Sequence, residues 1–96
     1  MRQRYLVTYD ISDPKRLRQV FKTVKGFGRH LQFSVFSCDL SSMALVQLKL
    51  ALSDIIDMRE DQVLIVDLGP ADGRAAEAFE SLGRRTNAAD PVVRVV

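Results

Sequence analysis

Tyr5-Leu6-Val7-Thr8-Tyr9-Asp10-Ile11-Ser12-Asp13-Pro14 is the stretch whose reading decides the fold. Its first half is β-branched and aromatic with no Gly or Pro, the composition of a pleated surface, and predicts a strand over residues 3–10. Alternation places Tyr5, Val7 and Tyr9 on one face and Leu6, Thr8 and Asp10 on the other. Asp13 followed by Pro14 then predicts a helix start, because a carboxylate accepts from free N–H groups and Pro at the first helical position loses no bond. Leu17, Val20, Phe21, Val24 and Phe27 recur at helical spacing as one buried stripe, and Gly26 and Gly28 are expected to supply the positive φ that ends the helix.

Outward from there, Arg29 to Leu40 alternates again, with Leu31, Phe33 and Val35 opposite His30, Gln32, Ser34, Phe36 and Cys38. No Asn-Gly or Asp-Gly marks a midpoint, so one long bent strand and a tight hairpin both fit. Ser41 or Ser42 caps a second helix, whose stripe is Leu45, Leu48, Leu52, Ile55 and Ile56 and whose end is expected near Asp57. Gln62 to Leu68 is a nearly continuous apolar run, expected to be a central strand covered on both faces and ended by Gly69-Pro70. The order is that of an α+β, ferredoxin-like βαββαβ sandwich in one domain spanning 1–96, with 1–70 as its core. Residues 72–82 predict a short helix ended by Gly83, 84–91 a connector, and 92–96 a terminal strand that adds to the sheet of a sister subunit. One sheet face lacks helices, which points to a homodimer.

Apolar types at 47% and charged types at 27% match a folded globular chain rather than a disordered one. A single cysteine, Cys38, excludes an internal disulfide and multi-cysteine metal cages and fits a reducing compartment. Met1-Arg2-Gln3-Arg4 leads straight into the first strand with no signal or membrane-spanning stretch, so a soluble cytoplasmic protein with no membrane partner is expected. The net charge of +2 is polarised: residues 1–36 hold eight Lys/Arg against Asp10 and Asp13. That clustering is the footprint of a phosphate-binding surface, although a solvated helix face has the same composition.

Catalytic signatures are sparse. There is no Walker loop, GxGxxG, HExxH or CxxC; His30 reads as a polar strand residue and Cys38 as a small buried hydrophobe. Asp10 stands apart because a carboxylate directly after an apolar strand is rigidly held where side chains meet solvent, and Asp13 already covers the capping duty. One carboxylate makes a poor Mg²⁺ site, but a symmetric pair supplies a second.

Tyr9-Asp10-Ile11-Ser12-Asp13, the basic Lys15-Arg16-Leu17-Arg18, Gly28, Gln32-Phe33-Ser34-Val35-Phe36 and the run from Asp61 to Val66 resemble the small CRISPR-associated endoribonuclease family of the spacer-acquisition module. The resemblance implies a homodimer in which Asp10 of both subunits faces a shared Mg²⁺ or Mn²⁺, with Tyr9, Ser34 and Phe36 in support. It further implies action on single-stranded RNA or double-stranded DNA, and a CRISPR-associated integrase as partner in spacer acquisition. Some relatives of that kind serve as a non-catalytic bridge between integrase dimers. Leu17 and Gln19 stand where some relatives carry arginines, which leaves Lys15, Arg16, Arg18 and Arg29 as the candidate phosphate contacts. A ligand-binding regulatory dimer of the same fold has no pocket signature in the sequence.

Overall fold

In the computed structural model the described residues are 1–83 and the backbone of 93–95. The opening stretch forms β1, Gln3–Asp10, as its composition demands, and β1 is central in a four-stranded antiparallel sheet. Helix α1, Pro14–Lys25, starts where Asp13 accepts from the Arg16 amide at 2.9 Å. Arg29 to Leu40 resolves as the hairpin: β2 (Arg29–Gln32) turns through Phe33-Ser34 into β3 (Val35–Leu40). Helix α2, Ser42–Ser53, is capped by the Ser41 hydroxyl, which accepts from the Ala44 amide at 3.1 Å, and it ends earlier than expected, at Asp54. Strand β4, Gln62–Pro70, returns beside β1, so the strand order is β2-β3-β1-β4, that of a ferredoxin-like sandwich.

Both helices cover one sheet face. Val20 and Val24 of α1 and Leu48 and Leu52 of α2 pack with Tyr5, Val7, Tyr9, Phe36 and Cys38 in one buried cluster. Burial pushes the Cys38 thiol up to about 12, which leaves it an inert core group at neutral pH. The other face carries Arg4, Leu6, Thr8 and Asp10 from β1 in register with Asp39, Ser37 and Val35 of β3 and with Val66, Leu64 and Gln62 of β4. At one end of it Arg4 makes a bidentate pair with Asp39 (2.7 and 3.0 Å) and donates to the Ala75 carbonyl at 3.1 Å. The Arg4 guanidinium holds the Asp39 carboxyl below its ordinary value.

Several expectations are corrected. β4 is an edge strand with one face open, and Leu64 and Val66 remain 52% and 44% exposed, because β1, flanked on both sides, took the central place. Gly26 has φ −73 and Gly28 is not at positive φ; what Gly28 provides is room. A Cβ there would lie 2.5 Å from the Ser37 carbonyl oxygen and 2.9 Å from Cys38 Cα, and would overlap Cys38 Sγ. Two of those three obstacles are backbone of a paired strand and do not yield. Gly28→Ala is therefore expected to destabilise by the upper part of the about 1–3 kcal/mol typical of overpacking, read from urea unfolding. Phe33 leaves its strand face for the hairpin tip, and Leu17 is 39% exposed rather than buried.

The helix expected over 72–82 is instead one 3₁₀ turn, Arg74–Glu77, followed by β5, Phe79–Ser81. The buried Ala75 gives its carbonyl to Arg4, which draws that backbone onto the sheet; Gly83 does adopt positive φ, at 95. Residues 84–92 and 96, which include the expected connector, lie outside the described residues. β6, Val93–Val95, pairs in parallel with β5 within the single chain, and the expected addition to the sheet of a sister subunit is a contact between two copies rather than within one. Among the described residues no helix is long and apolar enough to cross a membrane.

Candidate nucleic-acid and metal site

Asp10 is the last residue of β1, in register with Gln62, exposed, and on the helix-free face. Tyr9 points the other way. Its ring is buried, 6.1 Å from Phe36, and its phenol is hydrogen-bonded with Ser34. Burial raises the phenol above its ordinary value despite the Ser34 bond, so it stays protonated at neutral pH. Phe36 has no exposed surface and stacks among Tyr9, Phe21 (5.5 Å) and His30 (4.9 Å). It therefore packs beneath Tyr9 as part of the core. Tyr9, Ser34 and Phe36 come together on the helix side; Asp10 lies at the same end of the sheet on the opposite side.

The four cationic candidates separate. Lys15 and Arg18 are exposed on α1. Arg29 is in register with Ser37, which places it on the helix-free face, where its charge adds to the lowering of Asp39. Arg16 departs from the expectation of a phosphate contact: its Nε donates to Asp61 Oδ2 at 2.7 Å, and its Nη2 to Asp61 Oδ1 and to Ser12 Oγ, each at 3.2 Å. Glu60 lies 3.7 Å away. A guanidinium so engaged is a structural anchor.

Asp61 is the residue that sequence reasoning did not single out. Its side chain is 0% exposed and also accepts from the Ser12 amide (3.0 Å), the Ser12 hydroxyl (3.1 Å) and the Asp57 amide (2.8 Å). This network pins the loop after Asp10, the start of α1 and the entry of β4 to one point, and so fixes the direction in which β1 ends. The available signal was a lone carboxylate directly before a strand that closes on β1.

The Arg16 hydrogen bonds, with those from backbone and Ser12, hold the Asp61 carboxyl far below its ordinary 3.8. A depressed folded value means that the stabilisation is complete above the unfolded value and is lost as pH falls below it. Asp61→Asn is expected to lower the thermal midpoint by several degrees at neutral pH and to flatten the loss of stability below about pH 4. Thermal unfolding from neutral pH down to about pH 2 checks this; an acid limb parallel to the parent's would count against a charged Asp61 anchor.

Beside Tyr9 lies a cleft of about 390 Å³, lined by Tyr9, Leu17, Arg18, Phe21, Phe33 and Ser34. For a metal, one chain offers little: among the described residues no three His, Cys, Asp or Glu side chains gather. Asp10 has the right donor chemistry and exposure for one ligand of a hard cation.

The sequence profile of the CRISPR associated protein Cas2 family matches residues 1–74. A protein of Rhodospirillum rubrum named CRISPR-associated endoribonuclease Cas2 1 is 50% identical over 80 residues, covering 83% of this chain and 78% of its own. One of Geobacter sulfurreducens, named CRISPR-associated endoribonuclease Cas2, is 40% identical over 94 residues, covering 98% and 95%. The Streptococcus pyogenes Cas2 crystal structure superposes with a TM-score of 0.65 at 38% identity, over 69% of this chain and 86% of that one. With a compatible fold and extensive identity to these proteins, the chain belongs to the CRISPR-associated Cas2 family.

Proposed function

We propose that the protein is a divalent-metal-dependent endonuclease of the CRISPR spacer-acquisition module, active as a homodimer that brings two Asp10 carboxylates to one site. The observation that carries this reading is Asp10 itself: exposed, rigidly placed at a strand end, and backed by the Asp61 network. The relatives named as endoribonucleases support nuclease chemistry on RNA, and one from Halalkalibacterium halodurans is named an endonuclease. The open sheet face around Thr8, Leu64 and Val66 supports a second copy of this chain, since an apolar strand face left in water favours association. Exchange of β6 between copies is compatible with its place in a separate two-stranded sheet.

The Asp10 of each copy would hold the Mg²⁺ or Mn²⁺, with phosphate and water oxygens completing the shell. The metal, when bound, polarises the phosphodiester and lowers the pKa of a water. The protein's own part is to aim Asp10, to brace the strand end behind it through the buried Tyr9 ring, and to attract the backbone through Lys15 and Arg18. Chelation with EDTA is expected to stop cleavage of single-stranded RNA or duplex DNA without changing the helical circular dichroism, and Mg²⁺ or Mn²⁺ to restore it. Cleavage that persists in chelator would rule out the metal centre.

The exposed cations of α1 also favour a second reading, a DNA-binding bridge between copies of the partner integrase that needs no cleavage. Binding would then weaken steeply with salt whatever residue occupies position 10.

A further inference from the structure

We propose that the cleft between the start of α1 and the β2–β3 hairpin seats one unpaired nucleobase of a single-stranded nucleic acid, stacked on Phe33, with Arg18 at the adjoining phosphate. Phe33 is 82% exposed, far more than a large aromatic gains from packing within one chain. The backbone that carries the ring is also held in place. It takes φ 37, a region that bulky residues rarely adopt, and the His30 Nε2–H donates to the Phe33 carbonyl at 2.7 Å. His30 in turn is wedged between Phe21 (5.0 Å) and Phe36 (4.9 Å). A strained turn braced by the core holds the base of an exposed aromatic side chain at a fixed place beside the cleft, where a nucleobase could stack on it.

The remaining walls fit the same occupant. Leu17 and Phe21 supply apolar sides, and Tyr9 and Ser34 place two hydroxyl groups where the polar edge of a base would meet them. The volume of about 390 Å³ lies within the range of small-ligand pockets, about 300–1,000 Å³. Among the described residues no carboxylate lines the cleft. Arg18 stands at its rim with no carboxylate partner among the described residues, and Lys15 and Lys22 are exposed on the same helix. An apolar slot under a cationic rim is complementary to an anionic chain that carries planar apolar rings. A base inside a duplex is paired and stacked and does not reach the slot, so the cleft separates single strands from duplexes.

This inference rests on the reading that α1 follows a nucleic-acid backbone, but it does not require cleavage. The test is equilibrium binding in EDTA to a single-stranded RNA carrying 2-aminopurine, to single-stranded DNA of the same sequence, and to the duplex. Phe33→Ala is expected to weaken single-strand binding about tenfold, to abolish quenching of the 2-aminopurine and to leave duplex binding and the salt slope unchanged. Phe33→Trp, which keeps an aromatic face, should bind within about twofold of the parent. Arg18→Gln should reduce the slope of log affinity against log salt by about 0.7, one backbone charge on a single strand. Whether RNA or DNA shows the dependence on Phe33 identifies the source of the base.

Single-strand affinity unchanged in Phe33→Ala, or an equal loss on the duplex, overturns the proposal, as does a parent that binds no single strand. If salt dependence persists while Phe33 is indifferent, only the cleft falls. If salt and the removal of Lys15 and Lys22 charge are both without effect, the backbone reading falls with it.

Discussion

Asp10→Asn is expected to fold as the parent does and to lose metal-dependent cleavage by more than about a hundredfold, beyond what loss of a supporting partner of a metal ligand costs. The exchange is isosteric and the residue is exposed, with its place set by backbone pairing to β4, so stability should stay within about 0.5 kcal/mol. What changes is charge. A hard divalent cation selects anionic oxygen, and in a symmetric pair one substitution removes two such ligands at once. Cleavage of single-stranded RNA and duplex DNA under Mg²⁺, beside thermal unfolding of both proteins, makes the comparison. A variant that cuts as fast as its parent would place the hydrolytic centre elsewhere, and a variant that binds nucleic acid normally without cutting would separate catalysis from bridging.

The second large effect is expected at Phe36. The resemblance to the family assigns it to the site, yet it has no exposed surface and is packed against three rings. Phe36→Ala should cost about 3–5 kcal/mol, because the packed strands and helices around it collapse only partly into the cavity. Against a typical total of about 5–15 kcal/mol, a small domain then has little reserve. Loss of activity would follow from loss of fold. Phe36→Leu, which retains most of the volume, should lie in between and should cleave in proportion to its folded fraction in urea. A Phe36 variant of parental stability with no cleavage would instead give the ring a direct part in the chemistry.

Both predictions show how unevenly the site could be read. The exposed place of Asp10 at the end of β1 was legible because strand, cap and helix start follow one another within a few residues, and that order leaves one carboxylate without a local duty. Arg16 was misplaced for the same reason: its spacing in a basic helix looks like that of Arg18, and only the approach of Asp61, 45 positions away, converts it from a phosphate contact into an anchor. Phe33 was read by alternation as a strand residue. Alternation continues through a two-residue turn, so periodicity does not register the reversal that carries the ring outward.

By itself, then, the sequence determined the single sandwich class, the positions of β1, α1 and α2 to within a few residues, the Asp13 cap of α1, the cap of α2 to one of two serines, and most of the buried stripe, Leu17 excepted. Each of these depends on interactions within one turn or on a repeat of two or 3.6 residues. Tertiary structure alone decided which strand is central and which is the edge, that Gly28 is required for space rather than for φ, that Ala75 is drawn onto Arg4, and that Asp61 holds the loop behind Asp10. Those outcomes depend on which distant segments meet, and the free energy of such a meeting belongs to the pair and cannot be read from either segment.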